Sequence, residues 1–260
     1  HTIFFFFCTI LFLPFVNQIA KLTERVITPH KDETPSFYKF EFSQVGIREN
    51  SEAAVICAEK EISDMTDIVI EMFARIQNGL SQRNETFISE NMEQLLASEN
   101  YADQMQEEIS KFLVNCQTLP LNDKLRNNIS MMLRIVDDLE SLTDDCYSVA
   151  VLIKRSVEKK MEFAQEDLER LDPYMDLVQH FLEFIKENIN KPLNHEKLRL
   201  AEVMEDQIDM FRKNLKKIAR KRLEQGANVK AELLYLDVVR HIEKMGDHAF
   251  SMSESLSQTQ

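Results

Sequence analysis

Two segments about a hundred residues apart carry one pattern, and this repeat limits the possible folds more than any other feature of the chain. Leu133-x-x-Val136-x-x-x-Glu140-x-x-x-Asp144-x-x-Tyr147 is matched by Leu236-x-x-Val239-x-x-x-Glu243-x-x-x-Asp247-x-x-Phe250. Spacings of three and four place these residues on one face of an α-helix. A further carboxylate pair precedes each copy at the same spacing, Glu99 with Asp103 and Glu205 with Asp209. Two such helices packed antiparallel bring four carboxylates to one patch, and the chain does this twice. Like charges that close repel unless a cation or a proton lies between them.

The sequence around the repeat is helical in character. Only 4 Gly and 6 Pro occur in 260 residues, and Leu, Ile, Met, Glu, Lys and Gln, which favour helices, are abundant. A first helix is marked by Val55, Ala58, Ile62, Met65, Val69, Met72, Ile76 and Leu80, with a break at 81–85. A second runs from about 85 to 116. Pro120, Asn122 and Asp123 mark a turn and an N-cap, and a third helix continues from there to about 157. A fourth spans about 159–190, with Pro173 as a kink or break. A fifth runs from 195 to about 224, where Gly226 stops it, and a sixth from 228 to 256. The repeat divides the six helices into two groups of three. The expected fold class is therefore all-α, with two tandem three-helix bundles at 51–158 and 159–260.

The amino-terminal part has a different character. Residues 3–16 are almost wholly apolar. As a helix they would extend about 21 Å, short of the roughly 30 Å hydrocarbon core of a bilayer. They lack the basic leader and small-residue cleavage site of a signal peptide. Residues 1–27 read as the end of a transmembrane segment with its juxtamembrane stretch, the alternative being a hydrophobic docking helix of a soluble protein, and Lys21, Arg25 and Lys31 place the rest of the chain on the cytoplasmic side. Residues 28–50, with two prolines and a glycine, read as a linker.

Charge and motif content narrow the function. A net charge of −13 argues against a nucleic-acid partner, whose phosphates need a positive surface. Cys8, Cys57, Cys116 and Cys146 are scattered, with no C-x-x-C, and read as reduced thiols. No Ser-His-Asp set, reactive cysteine or glycine-rich phosphate loop is present, so the chain is expected not to be an enzyme. The candidate metal ligands are Glu99, Asp103, Glu140, Asp144, Glu205, Asp209, Glu243 and Asp247. Carboxylates alone suit hard cations such as Mg, Ca, Mn or iron, and not a structural zinc. The competing reading is a salt-bridged or water-bridged polar layer that sets helix register. His241 and His248 lie off the motif face and read as surface or interface histidines rather than ligands. Arg212, Lys213, Lys216, Lys217, Arg220, Lys221 and Arg222 crowd one helix end. They read as a solvated cationic face favoured at a helix C-terminus, or as contacts to anionic lipid headgroups or a phosphate-bearing partner.

Asp138-Leu139-Glu140-x-x-x-Asp144 and Ile242-Glu243-Lys244-Met245-Gly246-Asp247-His248-Ala249 resemble the paired signature of PhoU-like domains, commonly E-R-x-G-D-H-A. The resemblance covers about residues 50–256. It implies two three-helix bundles, multinuclear clusters of divalent or ferric ions on the E/D-x-x-x-D motifs, and a part in the control of phosphate uptake. The apolar amino-terminal stretch is similar to the end of the membrane domain of bacterial sodium/phosphate cotransporters, in which a PhoU-like domain comes after the last transmembrane segment. That likeness implies a cytoplasmic regulatory domain at the inner (plasma) membrane. Its partner would be the chain's own upstream membrane domain, with phosphate and sodium as the transported ligands, and a homo-oligomer is a further expectation. The first copy departs more from the pattern. Ser141 stands where the family has Arg, and Thr143 where it has Gly, whereas the second copy has Lys244 and Gly246. On that count the first site is expected to bind metal more weakly or to be structural. Two rivals stand beside this reading: a structural adaptor or oligomerisation bundle whose carboxylates pair with Lys and Arg, and a carboxylate-bound metalloenzyme.

Overall fold

A computed structural model describes Tyr38, Phe40, Phe163 and residues 51–161 and 165–259. Among these residues there are no strands. Six long helices are α1 (Ser51–Gln82), α2 (Glu85–Gln117), α3 (Asp123–Glu158), α5 (Asp172–Asn188), α6 (His195–Glu224) and α7 (Val229–Gln258), and α4 (Gln165–Glu169) is a short turn between α3 and α5.

The starts and stops have local causes. Asparagine caps four of the long helices: Asn84 accepts from the Phe87 amide at 2.8 Å, Asn122 from Leu125 at 2.8 Å, Asn194 from Lys197 at 2.9 Å and Asn228 from Lys230 at 3.0 Å. Each satisfies one amide that a helix start leaves without a carbonyl. Gly226 ends α6 at φ 87, and the following amide of Ala227 returns to the Arg222 carbonyl at 3.0 Å. That left-handed close is open to glycine without steric cost.

The expected fourth helix, 159–190, is not continuous. α3 ends at Glu158, Lys160 takes a positive φ of 47, and α5 opens with Pro173 in its first turn. A proline there lacks only an amide that would have no intrahelical partner anyway, so it begins this helix rather than kinking one.

In the first half of the chain α3 lies along both α1 and α2, and in the second α7 lies along α6 and α5. The halves meet through α3 against α7, the most extensive helix contact in the molecule, and through α1 against α5. Both crossings are antiparallel. Asn127 pairs with Gln258 and Asp145 with His241, while Glu59 pairs with Asn190 and Gln77 with Asp176. One apolar core runs through both halves, including Ile62, Met65, Ile109, Val136, Leu139, Phe181, Val239, Ile242 and Met245, each at most 1% exposed. Burying such side chains stabilises the fold by about 1.5–3 kcal/mol each.

The segments read as a membrane-spanning end and a linker lie outside the described residues, except for Tyr38 and Phe40 within 28–50. These two dock on the first half. Tyr38 is buried, donates to Glu61 Oε2 at 2.7 Å and stands edge-on to Tyr101, while Phe40 packs on Phe112 with ring centroids 4.3 Å apart. Among the described residues no helix is long and apolar enough to cross a membrane. Cys57, Cys116 and Cys146 are free thiols, the last two buried; Cys8 lies outside the described residues.

Candidate functional site

The four carboxylates of each copy come from two neighbouring helices. α2 supplies Glu99 and Asp103 and α3 supplies Glu140 and Asp144; α6 supplies Glu205 and Asp209 and α7 supplies Glu243 and Asp247. In each copy the motif glutamates are half-buried at the helix seam, and Asp103, Asp144 and Asp247 reach the exposed rim.

In the first quartet burial and mutual repulsion act together. Glu140 is pushed above the ordinary carboxylate range by desolvation and by the charges of Asp144 and Asp103. Glu99 is raised by desolvation and by Asp144 and Asp103. Asp144 is raised by desolvation and by Asp103 and Asp145. Among the described residues no lysine or arginine forms an ion pair with any of the four. The polar contact of Glu140 is the hydroxyl of Ser141 at 3.4 Å. The four form a patch of uncompensated negative charge, the electrostatic condition under which a hard cation is favoured. As the side chains stand, no three Asp, Glu, His or Cys among the described residues converge round a common point in the manner of metal ligands.

The second quartet is arranged differently. Arg212, one turn beyond Asp209 on α6, bridges the two helices: Nη1 lies 3.0 Å from Glu243 Oε1, Nε lies 3.1 Å from Asp209 Oδ1, and Nη2 also pairs with Asp209. Lys213 Nζ lies 2.5 Å from the other oxygen of Asp209. Asp209 is held below its ordinary range by the Lys213 and Arg212 hydrogen bonds. Glu205, Glu243 and Asp247 are raised by desolvation, which Arg212 opposes at Glu243 and which His248 and Arg212 oppose at Asp247. Arg212 was legible only as one member of a basic run, and Arg222 of the same run also turns inward. It pairs with Asp167 and with Glu232 at 2.8 Å and lies over the Tyr235 ring. Lys213, Lys216, Lys217, Arg220 and Lys221 stay exposed.

A polar set beside the quartets joins the two halves. His241 Nδ1 lies 2.7 Å from Asp145 Oδ1, and His248 Nδ1 lies 3.0 Å from Asp138 Oδ1. Of the two places open to histidines off the motif face, surface or interface, both take the interface. The sequence does not single out Asp138 and Asp145, although one signal is present: in the repeat register they stand at the places of His241 and His248.

Glycine at 246 has a steric reason. A Cβ there would sit 3.0 Å from two atoms of Ile208. In the first copy the repeat register places Thr143 opposite Ala102, both fully buried, so a larger residue on α3 is matched by a smaller one on α2.

Known proteins share this sequence pattern and this architecture. The PhoU domain family model matches residues 62–153 and again 175–256, one match for each half. A curated relative from Thermotoga maritima, the phosphate-specific transport system accessory protein PhoU homolog 1, is 26% identical over 205 residues, covering 76% of this chain and 83% of the relative. The crystal structure of PhoU from Pseudomonas aeruginosa superposes with a TM-score of 0.72 at 15% identity, covering 80% of this chain and 97% of that one. The phosphate transport system regulatory protein PhoU from Streptococcus pneumoniae superposes at 0.65 with 17% identity, covering 84% and 95%. At those identities the two structures show a shared fold. With the family model matched in both halves and over most of its length, the chain belongs to the PhoU domain family.

Proposed function

We propose that this chain is a regulator of phosphate transport that acts by binding rather than by catalysis. The observation that carries the reading is the pair of PhoU matches spanning both bundles. It is supported by a relative named as a transport-system accessory protein that shares most of its length with this chain. The finer reading places the domain behind the membrane part of a sodium/phosphate cotransporter, on the cytoplasmic side, where it biases the transporter through its bundle faces. The apolar residues 3–16 and the basic residues after them support that placement. The signal enters through the carboxylates. In the first quartet four acids without a counter-charge would take a divalent or ferric ion, after the side chains turn towards it.

Phosphate uptake measured against external phosphate, in cells that make the chain and in the same cells lacking it, tests the reading. Uptake should lose its dependence on external phosphate when the chain is absent. An unchanged uptake curve would reject a regulatory role.

A further inference from the structure

The repeat allows the two quartets to be compared position by position. Glu99 and Asp103 of α2 correspond to Glu205 and Asp209 of α6, and at the same offset Gln106, Glu107 and Ser110 correspond to Arg212, Lys213 and Lys216. Three cationic residues of the second copy are therefore replaced in the first by an amide, an acid and a hydroxyl. Gln106 does not turn to its quartet; its amide donates to Asp137 at 2.8 Å. Arg212 does turn to its own, between Asp209 on one helix and Glu243 on the other.

We infer that Arg212 is a built-in counter-ion that closes the second quartet to metal, so that the two copies of the motif are differentiated and the first alone is open to a cation. The part concerning the first quartet rests on the metal reading above; the closure of the second does not. A guanidinium is planar, permanently charged and able to fork between carboxylates. An arriving cation would have to displace it from two acids and leave it, a positive charge, beside the new one. A hard cation needs several carboxylate oxygens, and here Asp209 is taken by Arg212 and Lys213 and Glu243 by Arg212. Likeness to the family signature points the other way, since the second copy keeps Gly246 and the basic residue after its glutamate. The signature residues describe α7, whereas the closing residue lies on α6, outside the signature.

The test is Mn2+ binding to the full chain, by calorimetry and by the electron paramagnetic resonance of free Mn2+, with folding monitored by circular dichroism. Four proteins are compared: wild type, Glu140→Gln/Asp144→Asn, Glu243→Gln/Asp247→Asn and Arg212→Gln. Mn2+ bound by the wild type should be lost in the first double variant and retained in the second. Arg212→Gln, which installs the residue type of the first copy, should gain one further equivalent. Gain of Mn2+ by Arg212→Gln with none bound by the wild type would uphold the closure and reject the metal reading of the first quartet. A variant that folds only when Mn2+ is added counts as the same gain, and the comparison of the two double variants stands without it. Loss of Mn2+ from the wild type on Glu243→Gln/Asp247→Asn, or a folded Arg212→Gln that gains none, would overturn the inference.

Discussion

His241 Nδ1 lies 2.7 Å from Asp145 Oδ1, and this contact between α7 and α3 has a counterpart seven residues away on each helix, His248 with Asp138 at 3.0 Å. The repeat makes the two pairs equivalent. Asp138 occupies in the first copy the place of His241 in the second, and Asp145 the place of His248. Equivalent helices that cross antiparallel exchange those positions, so two copies of the first would set acid against acid, and two copies of the second imidazole against imidazole. Divergence to Asp in one copy and His in the other makes the crossing attractive at both ends and specifies its register.

This arrangement has a pH dependence. His248 is raised above the ordinary histidine range by its hydrogen bond to Asp138 and by the charges of Asp138 and Asp145, against burial and Lys244. A group whose folded pKa is raised binds more protons in the native state. Its contribution is complete below the unfolded value near 6.5 and is lost as pH rises through the folded value. Asp138→Asn should therefore cost about 1 kcal/mol at pH 6 and much less at pH 9. Denaturant unfolding at the two values checks it, and an equal cost at both would refute the assignment.

The first quartet works in the opposite sense. Glu99, Glu140 and Asp144 are all raised, so their ionisation opposes folding at neutral pH, and that opposition is relieved as pH falls through the raised values. In metal-free buffer at pH 7, Glu140→Gln should stabilise the chain by on the order of 0.5 kcal/mol, a Tm rise of about 1–2 °C. The gain should shrink towards pH 4.5. A fall in Tm at pH 7 would show that Glu140 has a stabilising partner.

At the α6–α7 contact, Gly246→Thr places atoms against Ile208 and should cost about 1–3 kcal/mol. Ile208→Ala in the same chain, which copies the Thr143 and Ala102 pairing, should recover part of that loss. Additive costs in the double variant, read from urea midpoints, would mean that the two side chains do not share the space.

Arg222 carries a different load. Its guanidinium faces Asp167, 4% exposed, and Glu232, 10% exposed. Arg222→Ala leaves the buried Glu232 without its cation and Asp167 with Arg170 alone, and should cost about 3 kcal/mol, whereas Lys221→Ala, one residue earlier on the exposed face, should change stability by less than about 0.5 kcal/mol. Thermal unfolding of the two variants separates an inward strut from a solvated charge.

The helices and their ends are legible in the residues because apolar spacing, asparagine caps and Gly226 act within a few positions. The break at 159–171 is not, because Pro173 suits a helix start as well as a kink. The quartets are legible as a spacing repeated twice. Their difference is not: whether Arg212 turns to Glu243 or to solvent depends on the helix across the seam. The Asp and His pairs need the crossing direction of α3 and α7, which no local pattern contains.

If control of phosphate transport passes through the first carboxylate quartet, neutralising that quartet should abolish the control and leave the fold intact. The decisive measurement is phosphate uptake against external phosphate in cells whose own copy of the chain is replaced by Glu140→Gln/Asp144→Asn. The folded double variant should leave uptake as unresponsive to external phosphate as loss of the whole chain does, while the wild type restores the response. A double variant that restores the full response would contradict a regulatory role for these carboxylates.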